Sequence, residues 1–519
     1  MQMTVGSSRP RVEVFSHHFT VYVNDERIKR ACSDLARGLV EWTLDRIPGP
    51  GKARFQRVPS KVYASATQDR KEMRFNINQL DEFFQFLEAY GIRRESVEIV
   101  HHPLYEPTKA DLVWISPKEP FPTQLPLIEY LAQPIDQPPN SRVICAMMGQ
   151  GKGLMSVQAL LRLGVRTAIV VRAQYLEKWV EELEEFLDLK PGDLMVVRGG
   201  AQMVSVMNLA LAGELQAKIL LIGNKGMQMY FKAYEHGKTF DDEYPIHPED
   251  FYKKLGVGIR VIDEVHQDFH LNFKQDTYAH IPVTFSLSAT LDSDQELLNR
   301  MYRLMWPVNT RGPVMPYDPY IAVSCLWFRA EKPDRIRHLN FKRQYSHVEF
   351  ENSISRNSQM LANYLKIPEL IVQTKYAPNM EPGQKMLIFC STVSMCAKVV
   401  EHLQGKFPQF TIAKYTGEDD WEQLHNNDIV VSTIQSAGTA VDIKNLRYTL
   451  LTVALSSKQT NHQVLGRLRK LKDWPDVTPE FMFTACQNIG KHQEYALAKK
   501  SKLHGKVKVF SQAFLPVVV

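Results

Sequence analysis

The feature that most constrains the fold is an alternation of short β-branched runs with helical stretches, which begins near residue 140. A first series reads RVICAMM, TAIVVRA, LMVVRG, AKILLIG, GIRVIDE and VTFSLSAT, and a second reads KMLIFCS, FTIAKYTG, NDIVVSTI, YTLLTVA and EFMFTA. This alternation is typical of βαβ units, in which helices cover both faces of a parallel sheet. We therefore predict an α/β fold with two tandem parallel-sheet lobes.

A smaller unit precedes the lobes. Residues 11–23 alternate in places like a strand, and residues 78–91 have the apolar spacing of a helix that Gly91 would end. A proline-rich passage over 103–139 is expected to be a hinge or docking segment. The pattern predicts a small basic α+β domain over 1–110, a first lobe over 111–310, a linker over 311–345, and a second lobe with a Lys-rich C-terminal segment over 346–519.

Composition excludes several classes of protein. Hydrophobic residues make up 44% and charged residues 23% of the 519 positions, which is ordinary globular usage. No apolar run approaches the roughly 18 residues of a membrane helix, and the first residues lack the apolar stretch of a secretory signal. The six cysteines form no C-x-x-C pair, which favours reduced thiols. We expect a soluble cytoplasmic protein without a membrane partner.

The charge is unevenly distributed. Lys and Arg number 63 against 57 Asp and Glu, a net charge of +6. Residues 1–80 hold 14 basic and 8 acidic side chains, and residues 491–510 hold six lysines against Glu494. Two positive ends suit a polyanion such as nucleic acid, although two ordinary solvated surfaces would explain the same distribution.

A glycine-rich turn with a lysine follows the first strand of the first lobe, in the run AMMGQGKGL that ends at Leu154. Glycines let backbone N–H groups wrap phosphates, Lys152 would neutralise the terminal phosphates, and the following helix N-terminus adds partial positive charge. A phosphate-binding loop normally continues with Ser or Thr, whose hydroxyl ligates magnesium, but Gly153 stands there. A structural turn with a chance lysine is the alternative.

Further polar groups follow other strands. Asp263 and Glu264 end an apolar strand, and in nucleotide-binding α/β sheets such acids hold Mg²⁺ and orient the attacking water. Ser288 and Thr290 follow the next strand. In the second lobe, Arg467 lies in the basic run QVLGRLRK, where cations can clamp a transferring phosphoryl group. A run of this kind is also common on a solvated face.

Taken in order, AMMGQGKG, VVRAQYLEKW, DEVH, SAT, LIFCST, STIQSAGTAVD and QVLGRLRK resemble motifs I, Ia, II, III, IV, V and VI of superfamily-two helicases and translocases. The resemblance covers roughly residues 120–500 and implies two RecA-like lobes. The small N-terminal domain makes the layout most similar to phage recombination helicases of the UvsW group. The resemblance implies ATP and Mg²⁺ as cofactors and DNA as partner, in branched, duplex or single-stranded form. It identifies no protein partner, and a phage origin would place the chain in the host cytoplasm.

The resemblance also implies a role for each matching residue. Lys152 would bind the β- and γ-phosphates, Asp263 would hold magnesium, Glu264 would be the general base and Arg467 the arginine finger. The implied nucleotide contacts are Gln124 at the adenine, Gly149, Gln150, Gly151, Lys152, Gly153, Leu154, Asp442 near the ribose, Gln463 and Lys470. His266, Ser288 and Thr290 would couple the nucleotide site to the rest of the motor. Arg172, Trp179, Asn224, Ser391 and Thr433 would line the nucleic-acid track, although the spacing of Trp179 is equally typical of core.

Two departures from the motifs stand out. Gly153 removes the magnesium-ligating hydroxyl, and Ser156, one turn later, is not expected to replace it. Lys470 occupies the place of a second motif VI arginine, and lysine keeps the charge without the bidentate fork. Because Lys152 and both carboxylates are present, we expect an active ATPase. The resemblance implies an ATP-dependent DNA helicase that remodels branched DNA, by fork regression and branch migration, in recombination, repair or replication.

Three alternatives stay open. A translocase that moves on duplex DNA without separating strands would share every motif. An RNA helicase is disfavoured, because its motif II usually reads differently and the N-terminal unit lacks an aromatic RNA-binding signature. A DNA-binding protein with a decayed ATPase would account for Gly153 and Lys470.

Overall fold

The structure is a computed structural model that describes residues 9–47, 54–67, 69–147, 149–236, 240–417, 419–420, 422–437 and 443–519. The chain divides into two compact units, residues 1–315 and 316–519.

The first unit begins with a small mixed sheet. Its elements are β1 (Arg11–Val14), β2 (His18–Tyr22), α1 (Glu26–Arg37), β3 (Val40–Ile47), β4 (Arg54–Val62), β5 (Ser65–Ala66), β6 (Glu72–Asn76), α2 (Leu80–Ala89) and β7 (Glu98–His101). The sheet order is β5-β6-β2-β1-β7, and β3 pairs with β4 as a separate antiparallel ribbon. The helix predicted over 78–91 is confirmed, and Gly91 follows it with a φ of 77°. The strand-like alternation over 11–23 corresponds to two antiparallel strands, because the chain reverses where Phe15 N–H donates to the His18 carbonyl.

A parallel α/β lobe follows in the same unit. Its elements are α3 (Leu125–Leu131), β8 (Ser141–Cys145), α4 (Lys152–Leu163), β9 (Thr167–Val171), α5 (Leu176–Phe186), β10 (Leu194–Val197), α6 (Gly200–Leu211), β11 (Ile219–Gly223), α7 (Asn224–His236), α8 (Phe240–Glu243), α9 (Phe251–Lys254), β12 (Ile259–Ile262), α10 (Phe269–Asp276), β13 (Val283–Ser288) and α11 (Glu296–Met305). The six strands are parallel in the order β10-β11-β9-β12-β13-β8. Every residue of β9, β11, β12 and β13 is buried. Burial on both faces explains why these strands read as continuous apolar runs.

The small sheet and the lobe share one hydrophobic core. Phe19 and Phe83 from the small domain are buried in the same cluster as Val265, Phe269 and Trp306 from the lobe. The first part of the proline-rich passage runs along the lobe, where Thr108 and Ala110 donate backbone hydrogen bonds to the carbonyls of Gly256 and Gly164. These contacts join the N-terminal domain to the first lobe along an extended segment.

The second unit is built on a seven-stranded sheet. Its elements are β14 (Ala322–Arg329), α12 (His347–Ser355), α13 (Ser358–Ile371), α14 (Ala377–Asn379), β15 (Lys385–Cys390), α15 (Val393–Lys406), β16 (Ile412–Tyr415), α16 (Glu422–Asn426), β17 (Ile429–Thr433), α17 (Ile434–Ala437), β18 (Leu446–Leu451), α18 (Lys458–Leu465), β19 (Glu480–Cys486), α19 (Gly490–Leu503) and β20 (Val509–Val518). The strands are parallel in the order β16-β17-β15-β18-β19-β14-β20. The segment expected as a linker over 311–345 contains β14, so the chain enters the second sheet before the predicted start of the second lobe.

The predicted fold class, two RecA-like parallel-sheet lobes with a small N-terminal α+β domain, is confirmed by these sheets. In the part of the chain that the structure describes, no helix is both long and apolar enough to cross a bilayer.

Candidate active site

The glycine-rich turn lies between β8 and α4. Gly149 and Gly151 have φ values of 83° and 79°, a left-handed conformation that glycine adopts without steric cost. The Gln150 side chain accepts a 2.5 Å hydrogen bond from Met147 N–H, and α4 begins at Lys152 immediately after the turn. A helix N-terminus that follows such a turn is a ready site for a phosphate.

Gln124 holds this turn from the side. Its amide is buried, with Nε2 donating to the Gln150 carbonyl and Oε1 accepting from Phe121 N–H, each at 2.8 Å. A Cβ on Gly151 would lie 2.5 Å from Gln124 Nε2, so only glycine lets the amide come this close. Gln124 thus positions the loop, and its expected adenine contact stays a prediction.

Lys152, Asp263 and Glu264 lie together at the carboxyl ends of their strands. Lys152 Nζ is 3.2 Å from Glu264 Oε1 and donates to the Ala146 carbonyl at 3.2 Å. The side chains of Lys152 and Glu264 are each only 10% exposed. Asp263 accepts from Trp179 Nε1 at 3.2 Å and from Glu264 N–H at 2.9 Å. The structure therefore brings together the three catalytic residues predicted in the first lobe.

Burial and charge set the protonation of the two acids. Burial and the adjacent Glu264 raise the pKa of Asp263. Burial would also raise the pKa of Glu264, but Lys152 and His266 outweigh it and hold that pKa below its usual value. Glu264 is therefore a carboxylate near neutral pH. Its backbone has a φ of 47°, a left-handed strain that recurs at functional sites.

His266, Ser288 and Thr290 form a continuous chain of polar contacts. His266 Nδ1 lies 2.9 Å from Ser288 Oγ and 3.4 Å from Glu264 Oε2. Ser288 Oγ donates to the Thr290 carbonyl at 2.8 Å. Burial lowers the pKa of His266, which keeps the imidazole neutral near pH 7. The three predicted coupling residues are thus connected to one another and to Glu264.

Two of the three predicted nucleic-acid residues of the first lobe, Arg172 and Asn224, meet at an acid that the sequence did not single out. Arg172 donates to both oxygens of Asp268, at 2.7 and 2.6 Å, and Asn224 Nδ2 donates to the same carboxylate at 3.3 Å. Trp179 is only 1% exposed and its indole N–H is bound to Asp263, so we remove it from the predicted nucleic-acid contacts. The only signal for Asp268 was its place in the run DEVHQD.

In the second unit, the predicted track residues are bound by local partners. The N–H groups of Ser391 and Thr392 donate to the buried Glu351 carboxylate at 2.7 and 2.8 Å, and Thr392 Oγ1 donates to it at 2.9 Å. Thr433 Oγ1 lies 2.9 Å from Ser436 Oγ. Glu351 had no sequence signal.

The predicted nucleotide residues of the second unit differ in exposure. Arg467 is buried and Gln463 is partly buried on α18, whereas the Lys470 side chain is 66% exposed with its Nζ 3.6 Å from Asp318. Asp442 lies outside the described residues.

The donor atoms near Gly153 fit magnesium. The described residues contain no ready-made cluster of three His, Cys, Asp or Glu ligands, but Mg²⁺ typically takes one or two carboxylates together with phosphates and water. A Cβ on Gly153 would overlap Glu182 Oε2 and lie 3.2 Å from Glu182 Cδ. A carboxylate oxygen thus fills the space that a Ser or Thr side chain would take, and Asp263 supplies a second carboxylate.

No protein-family model matches the chain, and no curated protein matches it in sequence. Among solved structures, S. cerevisiae Dbp5 bound to RNA and ADP BeF3 is similar over 76% of this chain and 90% of its own, with a TM-score of 0.48 and 10% identity. T4 UvsW is similar over 98% of this chain and 100% of its own, with a TM-score of 0.33 and 11% identity. At these scores neither likeness carries a functional argument.

Proposed function

We propose that the chain is an ATP-dependent nucleic-acid motor of the helicase or translocase type, which acts on DNA and remodels branched DNA. One observation carries the proposal. A glycine turn with Lys152, the Asp263–Glu264 pair and the His266–Ser288 contact lie at the carboxyl ends of β8, β12 and β13. Ligands of parallel α/β sheets bind at this edge, and phosphoryl transfer uses a phosphate-binding lysine and acids of this kind.

The contacts support a role for each group in turnover. Lys152, which lies beside Glu264 in the structure, binds the terminal phosphates of ATP through its ammonium group. Glu264 then accepts a proton from the attacking water, and His266 transmits its state to Ser288. Asp263 would hold magnesium, which when bound would supply charge neutralisation at the phosphates.

The finer assignments belong to the same proposal. Arg467 acts as the arginine finger, with Asp442, Gln463 and Lys470 at the nucleotide. The nucleic-acid contacts are Arg172, Asn224, Ser391 and Thr433, and the basic N-terminal domain grips duplex or branched DNA by charge.

The test is ATP hydrolysis by the purified chain with no nucleic acid, with single-stranded, duplex or forked DNA, and with RNA, beside a Lys152→Ala control. We expect DNA to stimulate turnover, forked DNA to stimulate it most, and the control to have none. A strand-displacement assay then separates a helicase from a duplex translocase. Stimulation by RNA alone would overturn the DNA assignment.

Gly153 favours a second candidate, a DNA-binding protein whose ATPase has decayed. It predicts salt-dependent DNA binding with no turnover above the Lys152→Ala control. That result would exclude the motor.

A further inference from the structure

We propose that the Glu182 carboxylate is a magnesium ligand that replaces the hydroxyl missing at Gly153. The inference rests on the proposed function, because it concerns the Mg²⁺ that accompanies ATP. It assigns to α5 a role that the motif sequence does not.

The geometry places Glu182 at the position of the lost side chain. Gly153 is the second residue of α4, and the space beyond its Cα is filled by Glu182 Oε2 from α5. The carboxylate stands where the first atoms of a Ser or Thr side chain would be. An oxygen therefore remains beside the first turn of α4, although it comes from another helix.

The same face of α5 carries a second group that touches the site. Trp179, one turn before Glu182, donates to Asp263, and Lys178 Nζ lies 3.3 Å from Glu182 Oε1. Residues three and four apart share a helix face, so α5 presents Glu182 beside Asp263. Two carboxylates on one side of a phosphate-binding loop match the oxygen ligands that Mg²⁺ prefers.

Ser156 does not compete for this role. It is buried in α4, and its hydroxyl donates to the Gly153 carbonyl at 2.8 Å. Glu181 and Glu184, which flank Glu182 in sequence, are exposed and offer matched controls.

A charged ligand has a consequence that a hydroxyl lacks. Without Mg²⁺, the Glu182 carboxylate is offset in part by Lys178 at 3.3 Å and opposes the approach of the ATP phosphates, whereas with Mg²⁺ between them it attracts the complex. Glu182 therefore strengthens the mutual dependence of Mg²⁺ and ATP binding, which is a reciprocal coupling free energy.

The test measures binding of a non-hydrolysable ATP analogue by calorimetry, in EDTA and across a Mg²⁺ titration, for the wild type, Glu182→Gln and the control Glu181→Gln. We expect Glu182→Gln to bind more tightly in EDTA and to reduce the Mg²⁺-dependent gain by at least the roughly tenfold that even outer-shell partners of a metal contribute. Glu181→Gln should match the wild type. An unchanged Mg²⁺-dependent gain in Glu182→Gln would overturn the assignment.

A rescue experiment keeps the inference testable if Glu182→Gln perturbs folding. Glu182→Ala should lose Mg²⁺-dependent binding. Gly153→Ser with Glu182→Ala should recover it, because the serine hydroxyl takes the place that the carboxylate leaves. Thermal melting checks each variant, and failure of a folded double variant to recover binding argues against Glu182 as ligand.

The two proposals fail differently. If the wild type binds the analogue with Mg²⁺ and Glu182→Gln behaves identically, only the ligand assignment falls. If the wild type binds no analogue at any Mg²⁺ concentration, the proposed function falls and the ligand assignment falls with it.

Discussion

The candidate residues of the two units differ in the contacts that they make. In the first, Lys152, Asp263, Glu264, His266 and Ser288 are joined by direct contacts, because parallel strands deliver them to one edge of one sheet. In the second, Ser391 N–H is bound to Glu351, and Lys470 is exposed with its Nζ 3.6 Å from Asp318. Parallel-sheet topology thus explains how the first set comes to one place.

The largest expected difference in the loss of turnover lies between variants of Glu264 and of Lys470. Glu264→Gln should lower DNA-stimulated turnover by about 10²- to 10⁴-fold, the usual contribution of a general base, and should retain ATP binding. Lys470→Ala removes an exposed ion pair and should cost no more than about fivefold. Steady-state kcat and an ATP-binding titration measure both, and an equal loss in the two variants would end the contrast.

The buried Glu351 carboxyl group, which binds Ser391 and Thr392, should make the stability of the second unit depend on pH. Burial raises its pKa from 4.5 to about 7, while three hydrogen bonds to the carboxylate oppose the rise. The folded chain therefore binds this proton more tightly than the unfolded chain does. On the order of 3 kcal/mol of stability, present below about pH 4.5, should be lost as pH rises through 7.

Denaturant unfolding at several pH values, followed by a signal from the second unit, measures how the free energy of unfolding changes with pH. Glu351→Gln should flatten this slope. The control Glu349→Gln, on the same helix and partly exposed, should leave the slope in place. A slope that Glu351→Gln does not change would assign the pH dependence elsewhere.

We expect His266 and Ser288 to act together through their contact. His266→Ala and Ser288→Ala should each reduce stimulation by DNA about tenfold, and the double variant should be no worse than either, since contacting residues are non-additive. The measurement is turnover with and without DNA. Additive losses would mean that the two residues act separately and that their contact does not couple them.

The smallest expected effect, a change in DNA affinity, concerns Asp268, which forms an ion pair with Arg172 in the structure. Asp268→Asn suits the left-handed backbone there, with a φ of 49°, and should release Arg172 for phosphate. DNA affinity should rise about threefold and its salt dependence should steepen. Adding Arg172→Ala should abolish the gain, and a gain that persists would exclude Arg172 as its source.

The strands of both lobes were predictable because buried parallel strands read as apolar runs. Two strands were missed for local reasons. β14 lies close to prolines that suggested a linker, and β20 follows a lysine-rich stretch and is largely exposed.

The contacts that complete the first site had no such signal. Gln124 bonds to Gln150, and Glu182 fills the space at Gly153, although each pair is more than 25 positions apart. Which residues meet across a helix pair is decided by tertiary packing, not by local pattern. The motifs therefore identified the loop and its acids, but not the groups that hold them.

The shared core of the N-terminal domain and the first lobe connects the β3–β4 ribbon to the helix α10. Tyr63, immediately after the β3–β4 ribbon, packs on Phe269 and Phe273 of α10, and His270 of α10 contacts the Val62 carbonyl at 2.9 Å. The helix α10 begins six residues after Asp263. These contacts join the ribbon to the helix that follows the acidic turn, within one hydrophobic core.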